Sequence, residues 1–109
     1  MATILKRKMA EIIANSIAQN VAKVKAYFSD ATETDMLTTS ASVEVDETNK
    51  CCYANVSFYV STDNAKTITK IEFYDDVYNL LFVDDGNLTI SLNAGTTNIL
   101  EKLKISWTE

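Results

Sequence analysis

The chain has no histidine and no proline, and only two glycines, Gly86 and Gly95, among its 109 residues. Without histidine the commonest general base is missing, and with it His-based triads and histidine-ligated zinc. Two isolated glycines cannot build a phosphate-cradling loop. Without proline, strand edges lack one of their usual guards, so exposed Lys and Glu must protect them unless edges pair between subunits. Basic charge is scarce, since ten Lys and Arg against fifteen Asp and Glu leave a net charge of -5. That balance argues against nucleic-acid binding, which needs a surplus of cations on one face. No apolar stretch is long enough to cross a bilayer. Residues 1–22 open with a basic patch but are interrupted by Glu11, Asn15, Gln19 and Asn20, so no signal-type apolar core forms. The expectation is a soluble protein that stays in the compartment where it is made, with no membrane partner and no cofactor.

Cysteine is equally sparse. Cys51 and Cys52 are adjacent, and neighbours on a strand point to opposite faces, which disfavours both a mutual disulfide and shared metal ligation. They read as reduced strand residues, the outward one being available to crosslink copies in an oxidising setting.

What is present is apolar residues, 47% of the chain. A chain of this length reads as a single domain, 1–109, that buries roughly two-thirds of the surface its unfolded form exposes, with no disulfide or metal staple required. Residues 1–20 read as a helix. Leu5, Met9, Ile12, Ile13, Ser16 and Ile17 recur at helical spacing from Thr3 to Asn20, with Thr3 as the expected N-cap. Lys6, Arg7 and Lys8 stand where the helix dipole prefers acids, so the first turn is expected to fray or to be held by a partner's carboxylates. The basic start and acidic remainder would suit head-to-tail or ring contacts between copies, although a solvated helix face on an acidic protein explains the same charges.

Residues 21–109 read as mainly antiparallel strands. Val24, Ala26 and Phe28 alternate with Lys23, Lys25 and Tyr27, and residues 29–41 form a loop with one helical turn expected at Asp35-Met36-Leu37. Val43 and Val45 lead through the turn Glu47-Thr48-Asn49-Lys50 into a long strand in which Cys52, Ala54, Val56, Phe58 and Val60 line the core, a hairpin pairing. Thr69, Ile71 and Phe73 are expected inward in the next strand, opposite Lys70, Glu72 and Tyr74. The short run Leu80 to Val83 then meets Asp84-Asp85-Gly86-Asn87, a tight-hairpin signal, before Leu88, Ile90 and Leu92. Asn93-Ala94-Gly95-Thr96 turns the chain into a closing strand, Ile99 to Trp107. Short strands with tight turns and no crossover helices favour an α+β fold: one N-terminal helix packed on an antiparallel six- to seven-stranded sheet or small β-sandwich.

Catalysis finds little support in these residues. Asp75, Asp76, Asp84 and Asp85 lie at turns, where Asp caps backbone, and no acid sits within an apolar run able to raise its pKa. Asp84 to Asn87 lacks the ligand spacing of a calcium loop. Tyr27, Tyr53, Tyr59 and Tyr74 fall opposite the core-facing register and are the candidate interface residues, since tyrosine is enriched where a ring is buried against a partner while its hydroxyl stays wet. A second sheet or the helix covering that face within the chain would explain them equally.

Ile68-Thr69-Lys70-Ile71-Glu72-Phe73-Tyr74-Asp75, the following Leu80-Leu81, and Leu103-Lys104-Ile105-Ser106-Trp107 together resemble a group of small tail-associated structural proteins from the virions of tailed phages and related proviruses. Members carry Ile-Thr-Glu-Val-Gly-Leu-Phe-Asp at the first place and close on Leu-Thr-Ile-Thr-Trp. The chain departs at Glu72, which replaces the motif glycine, and at Ser29-Asp30-Ala31-Thr32, which replaces a glycine-rich turn. The resemblance implies no enzymatic residues. It implies a non-enzymatic building block of a virion or tail, with copies of itself or other virion proteins as partners, a homo-oligomeric state, and residence in the virion and in the host cytoplasm during assembly. The alternative from another class is a small ligand-binding β module, such as a carbohydrate-recognising domain, which a sugar-array screen separates from the first.

Overall fold

A computed structural model of the chain describes residues 4–108. Its elements run α1 (Arg7–Asn20), β1 (Lys23–Phe28), β2 (Leu37–Thr38), β3 (Ser40–Asp46), β4 (Cys51–Thr62), β5 (Lys66–Tyr74), β6 (Leu80–Asp84), β7 (Ile90–Leu92) and β8 (Gly95–Ser106). All strand pairings are antiparallel, in a five-stranded sheet ordered β2-β1-β5-β6 with β7 also on β5, and a three-stranded sheet ordered β3-β4-β8. The α+β class with an N-terminal helix on antiparallel sheet is as expected; the described strands number eight rather than six or seven.

Twelve-residue β4 organises the molecule. It spans roughly 40 Å, most of the 47 Å long axis. One face of it has two covers. At its start Cys52 packs with Ala10 and Ala14 of α1 and with Trp107. Further along, Val56, Phe58 and Val60 meet Val24, Ala26 and Phe28 of β1 and Ile68, Ile71 and Phe73 of β5 in the main core between the sheets. The chain changes sheet at Thr39, between β2 and β3, which closes one side of this sandwich. On the other side β6, β7 and β8 have no further strand beside them among the described residues.

Several local expectations are corrected by what lies across the sheet. The helix begins at Arg7 with Lys6 as its N-cap and no side-chain cap; the expected Thr3 cap lies outside the described residues. The buried stripe of α1 is Ala10 and Ala14, while Met9 and Ile12 face solvent, because small side chains let the helix approach Cys52 and Trp107 closely. No helical turn forms at 35–37: Leu37 pairs with Val24 and packs on the core. In β5 it is Ile68 that is buried, not Thr69. The register slips so that Tyr27 pairs with Lys70 but Phe28 with Ile68, a bulge that turns the larger apolar residue inward.

The largest correction concerns 84–87, which is no hairpin turn. β6 pairs with Ile71–Tyr74 and β7 with Lys66–Ile68, both antiparallel to β5 on the same edge. They are two segments of one interrupted edge strand, with residues 85–89 looping out between them. A tight hairpin would have sent Leu88, Ile90 and Leu92 outward beyond β6; along β5 they reach the core instead.

Both cysteines are fully buried and free. Neither is presented for crosslinking, and burial raises the Cys52 thiol, which makes it less reactive.

Candidate functional site

The four candidate tyrosines divide between two outward faces on opposite sides of the sandwich. Tyr27 of β1 and Tyr74 of β5 stand on the outer face of the five-stranded sheet; Tyr53 and Tyr59 stand on the outer face of β4. Lys25 lies opposite Glu72, which brings both phenols of the first pair within reach of that carboxylate. Tyr27 and Tyr74 donate to Glu72 Oε1, Tyr74 at 2.7 Å. Lys70 Nζ lies 4.1 Å from the Tyr27 ring centroid.

These contacts shift both partners. The hydrogen bond to the Glu72 carboxylate, with burial adding to it, raises both phenols. Partial burial pushes Glu72 upward, but the two phenols and the Lys70 and Lys25 ammoniums outweigh that and hold it below the usual carboxylate range. Tyr27 and Tyr74 are therefore half-buried members of an internal network. Tyr53 is half-buried, with Lys102 Nζ 4.5 Å from its ring centroid. Only Tyr59, 65% exposed, is free to meet a partner. Tyr27→Phe should cost about 1 kcal/mol in urea unfolding through the lost charge-assisted hydrogen bond. Tyr59→Ala should stay within about 0.5 kcal/mol.

The exposed apolar surface the periodicity missed lies at 77–83. Val77 and Tyr78 are 68% and 59% exposed, and Leu80, Leu81 and Val83 follow them on β6. The row is set by Asp75, whose Oδ1 accepts from the backbone N–H of Val77 and of Asn79 while its Oδ2 accepts from Asn79 Nδ2. This turn holds Tyr78 at φ 64°, a left-handed conformation uncommon for a bulky residue. Asp75 is thus structural, as its turn position suggested. Phe82 anchors the strand by stacking on Phe73, centroids 4.4 Å apart, so its neighbours Leu81 and Val83 are left facing water on an open edge. Six apolar residues in the seven from Val77 to Val83, without a clean period of two, were the available signal.

Behind this edge the two sheets meet through acids. Asp84 pairs with buried Ile71 and Glu101 with buried Val56, so both carboxyls point between the sheets. Burial first, then the charge and hydrogen bond of Asp84, push Glu101 up to about 7. An acid within an apolar run does therefore exist, contrary to expectation; Ile99-Leu100-Glu101-Lys102-Leu103 contains it. Asp84 is the charged group that shifts Glu101, and no three Asp, Glu or Cys converge as metal ligands among the described residues. Inward charges on edge strands are a known guard against uncontrolled edge pairing.

At the far end of β4 a cleft of about 510 Å³ opens, with Phe28, Leu37 and Tyr59 as its apolar part and Asp30, Glu33, Asp35 and Asp63 as its acids. Lys66 reaches Asp30 at 3.5 Å and Lys25 reaches Glu33 at 3.3 Å. Asp35 and Asp63 have no ion pair or side-chain hydrogen bond among the described residues.

No family model, curated protein or solved structure matches the chain.

Proposed function

We propose that this chain is a non-enzymatic structural subunit that works by docking and self-association, a building block of a virion or tail as its resemblance implies. Its partners are copies of itself or other virion proteins, in the particle and in the host cytoplasm while particles assemble. The observation that carries this reading is the apolar row Val77–Val83, leading into and along edge strand β6, which has no further strand beside it among the described residues. Apolar side chains and unpaired backbone groups there offer what strand addition uses, main-chain hydrogen bonds together with side-chain burial. We read the Glu101–Asp84 contact behind the edge as a guard against uncontrolled pairing rather than as a reactive pair.

The double variant Leu81→Lys with Val83→Lys tests it. Both side chains are exposed, so the melting temperature should hardly move, whereas the concentration for half-assembly in sedimentation should rise about tenfold or more. A protein that sediments only as monomer, alone and with candidate virion partners, would count decisively against this function.

A further inference from the structure

We infer that copies of this chain associate head to tail, the helix-bearing pole of one entering the acidic cleft at the opposite pole of the next. This rests on the assembly reading and adds a contact separate from the β6 edge. Two observations carry it: where the charges stand and which of them are left unpaired.

β4 begins at Cys51 beneath α1 and ends at Thr62 beside the cleft, so the two surfaces lie at opposite ends of the long axis. At the first pole Arg7 is spent internally, on Glu11 at 2.9 Å, on Glu47 at 2.7 Å and over the Trp107 ring. Lys6 and Lys8 beside it are exposed and have no ion pair among the described residues. Exposed Ile4 and Met9 flank them. At the second pole the unpaired charges are Asp35 and Asp63, around Phe28, Leu37 and Tyr59. Each pole thus presents unpaired charges with apolar neighbours, and the signs are opposite. Within one molecule they are too far apart to meet, so a second copy is the partner that satisfies both at once. A contact between two different patches is heterologous, and repeating it gives a ring or a filament according to the rotation per step.

The test is a charge swap read by sedimentation velocity at low and physiological ionic strength. Wild-type protein should form species larger than monomer that dissociate as salt rises. Lys6→Glu with Lys8→Glu, and separately Asp35→Lys with Asp63→Lys, should each raise the half-assembly concentration about tenfold or more. An equimolar mixture of the two variants should restore assembly, because each then carries the complement of the other at both poles. All four side chains are exposed, and thermal melting of each variant confirms that the fold is kept. Assembly indifferent to both swaps, or no restoration on mixing, overturns the head-to-tail contact. If Leu81→Lys with Val83→Lys abolishes that same assembly, the self-association reading survives without it. Wild-type protein that stays monomeric at both ionic strengths overturns this inference, and the broader reading falls only if virion partners also fail to bind.

Discussion

Phe73→Ala should lose roughly 3–5 kcal/mol of stability in urea unfolding, the range for truncating a buried aromatic. Phe73 is fully buried on β5, the strand that carries β1 on one edge and β6 and β7 on the other. Its ring stacks on Phe82 at 4.4 Å with an interplanar angle of 18°, so truncation both opens a cavity and removes the anchor of β6. A domain of this size is stable by only about 5–15 kcal/mol, so the loss is a large share of the total. Amides of Leu80 to Asp84 should exchange with solvent faster than those of β4 in the variant, because β6 keeps only its hydrogen bonds to β5 and half-buried side chains. Phe73→Leu, which keeps most of the volume, should cost far less. A loss under about 1 kcal/mol for the alanine variant would mean that Phe73 and Phe82 do not hold the docking edge in place.

The second large effect is a pH dependence set by Glu101. Its folded pKa of about 7 lies above the ordinary glutamate value of 4.5, so the folded protein binds more protons than the unfolded one between those values. That stability is fully present below the unfolded pKa and is lost as pH rises through about 7. By linkage the ceiling is about 3 kcal/mol, and solvent access at this half-buried edge brings the expected change to on the order of 1–2 kcal/mol. Glu101→Gln should abolish this slope and leave the protein more stable than wild type at pH near 8, since the amide donates to Asp84 without a buried charge. Urea unfolding at mildly acidic and mildly basic pH reads it directly. A parallel loss in both proteins would assign the slope to other groups.

On the acid side the sign reverses. Hydrogen bonds from Thr32 to Asp30, from Asn49 to Asp46 and from the Asn79 backbone to Asp75 hold those carboxyls below their usual range. Their contribution is present above the unfolded pKa and disappears as pH falls through the folded one. Wild-type stability should therefore peak under mildly acidic conditions.

Much of the backbone plan follows from the chain's own pattern. The early helix, the period of two in β1 and β4, the turn at Glu47–Lys50 joining β3 to β4, and Asp75 as a turn residue all depend on neighbours a few positions away, where side-chain spacing and turn chemistry act directly. What the tertiary structure alone decided are matters of what lies opposite. Asp-Gly at 85–86 serves a hairpin or a looped-out detour equally well, and only the free length of β5 beside β6 selects the detour. Ile68 displaces Thr69 from the core because the bulge against β1 rewards burying the larger apolar side chain. Glu101 looks like a solvated strand residue until β6 brings Asp84 over it, and the tyrosines look like one face until β1 and β4 prove to belong to different sheets. Burial and charge shifts arise between segments distant in sequence, so local periodicity sets which face of a strand is apolar but not what covers it.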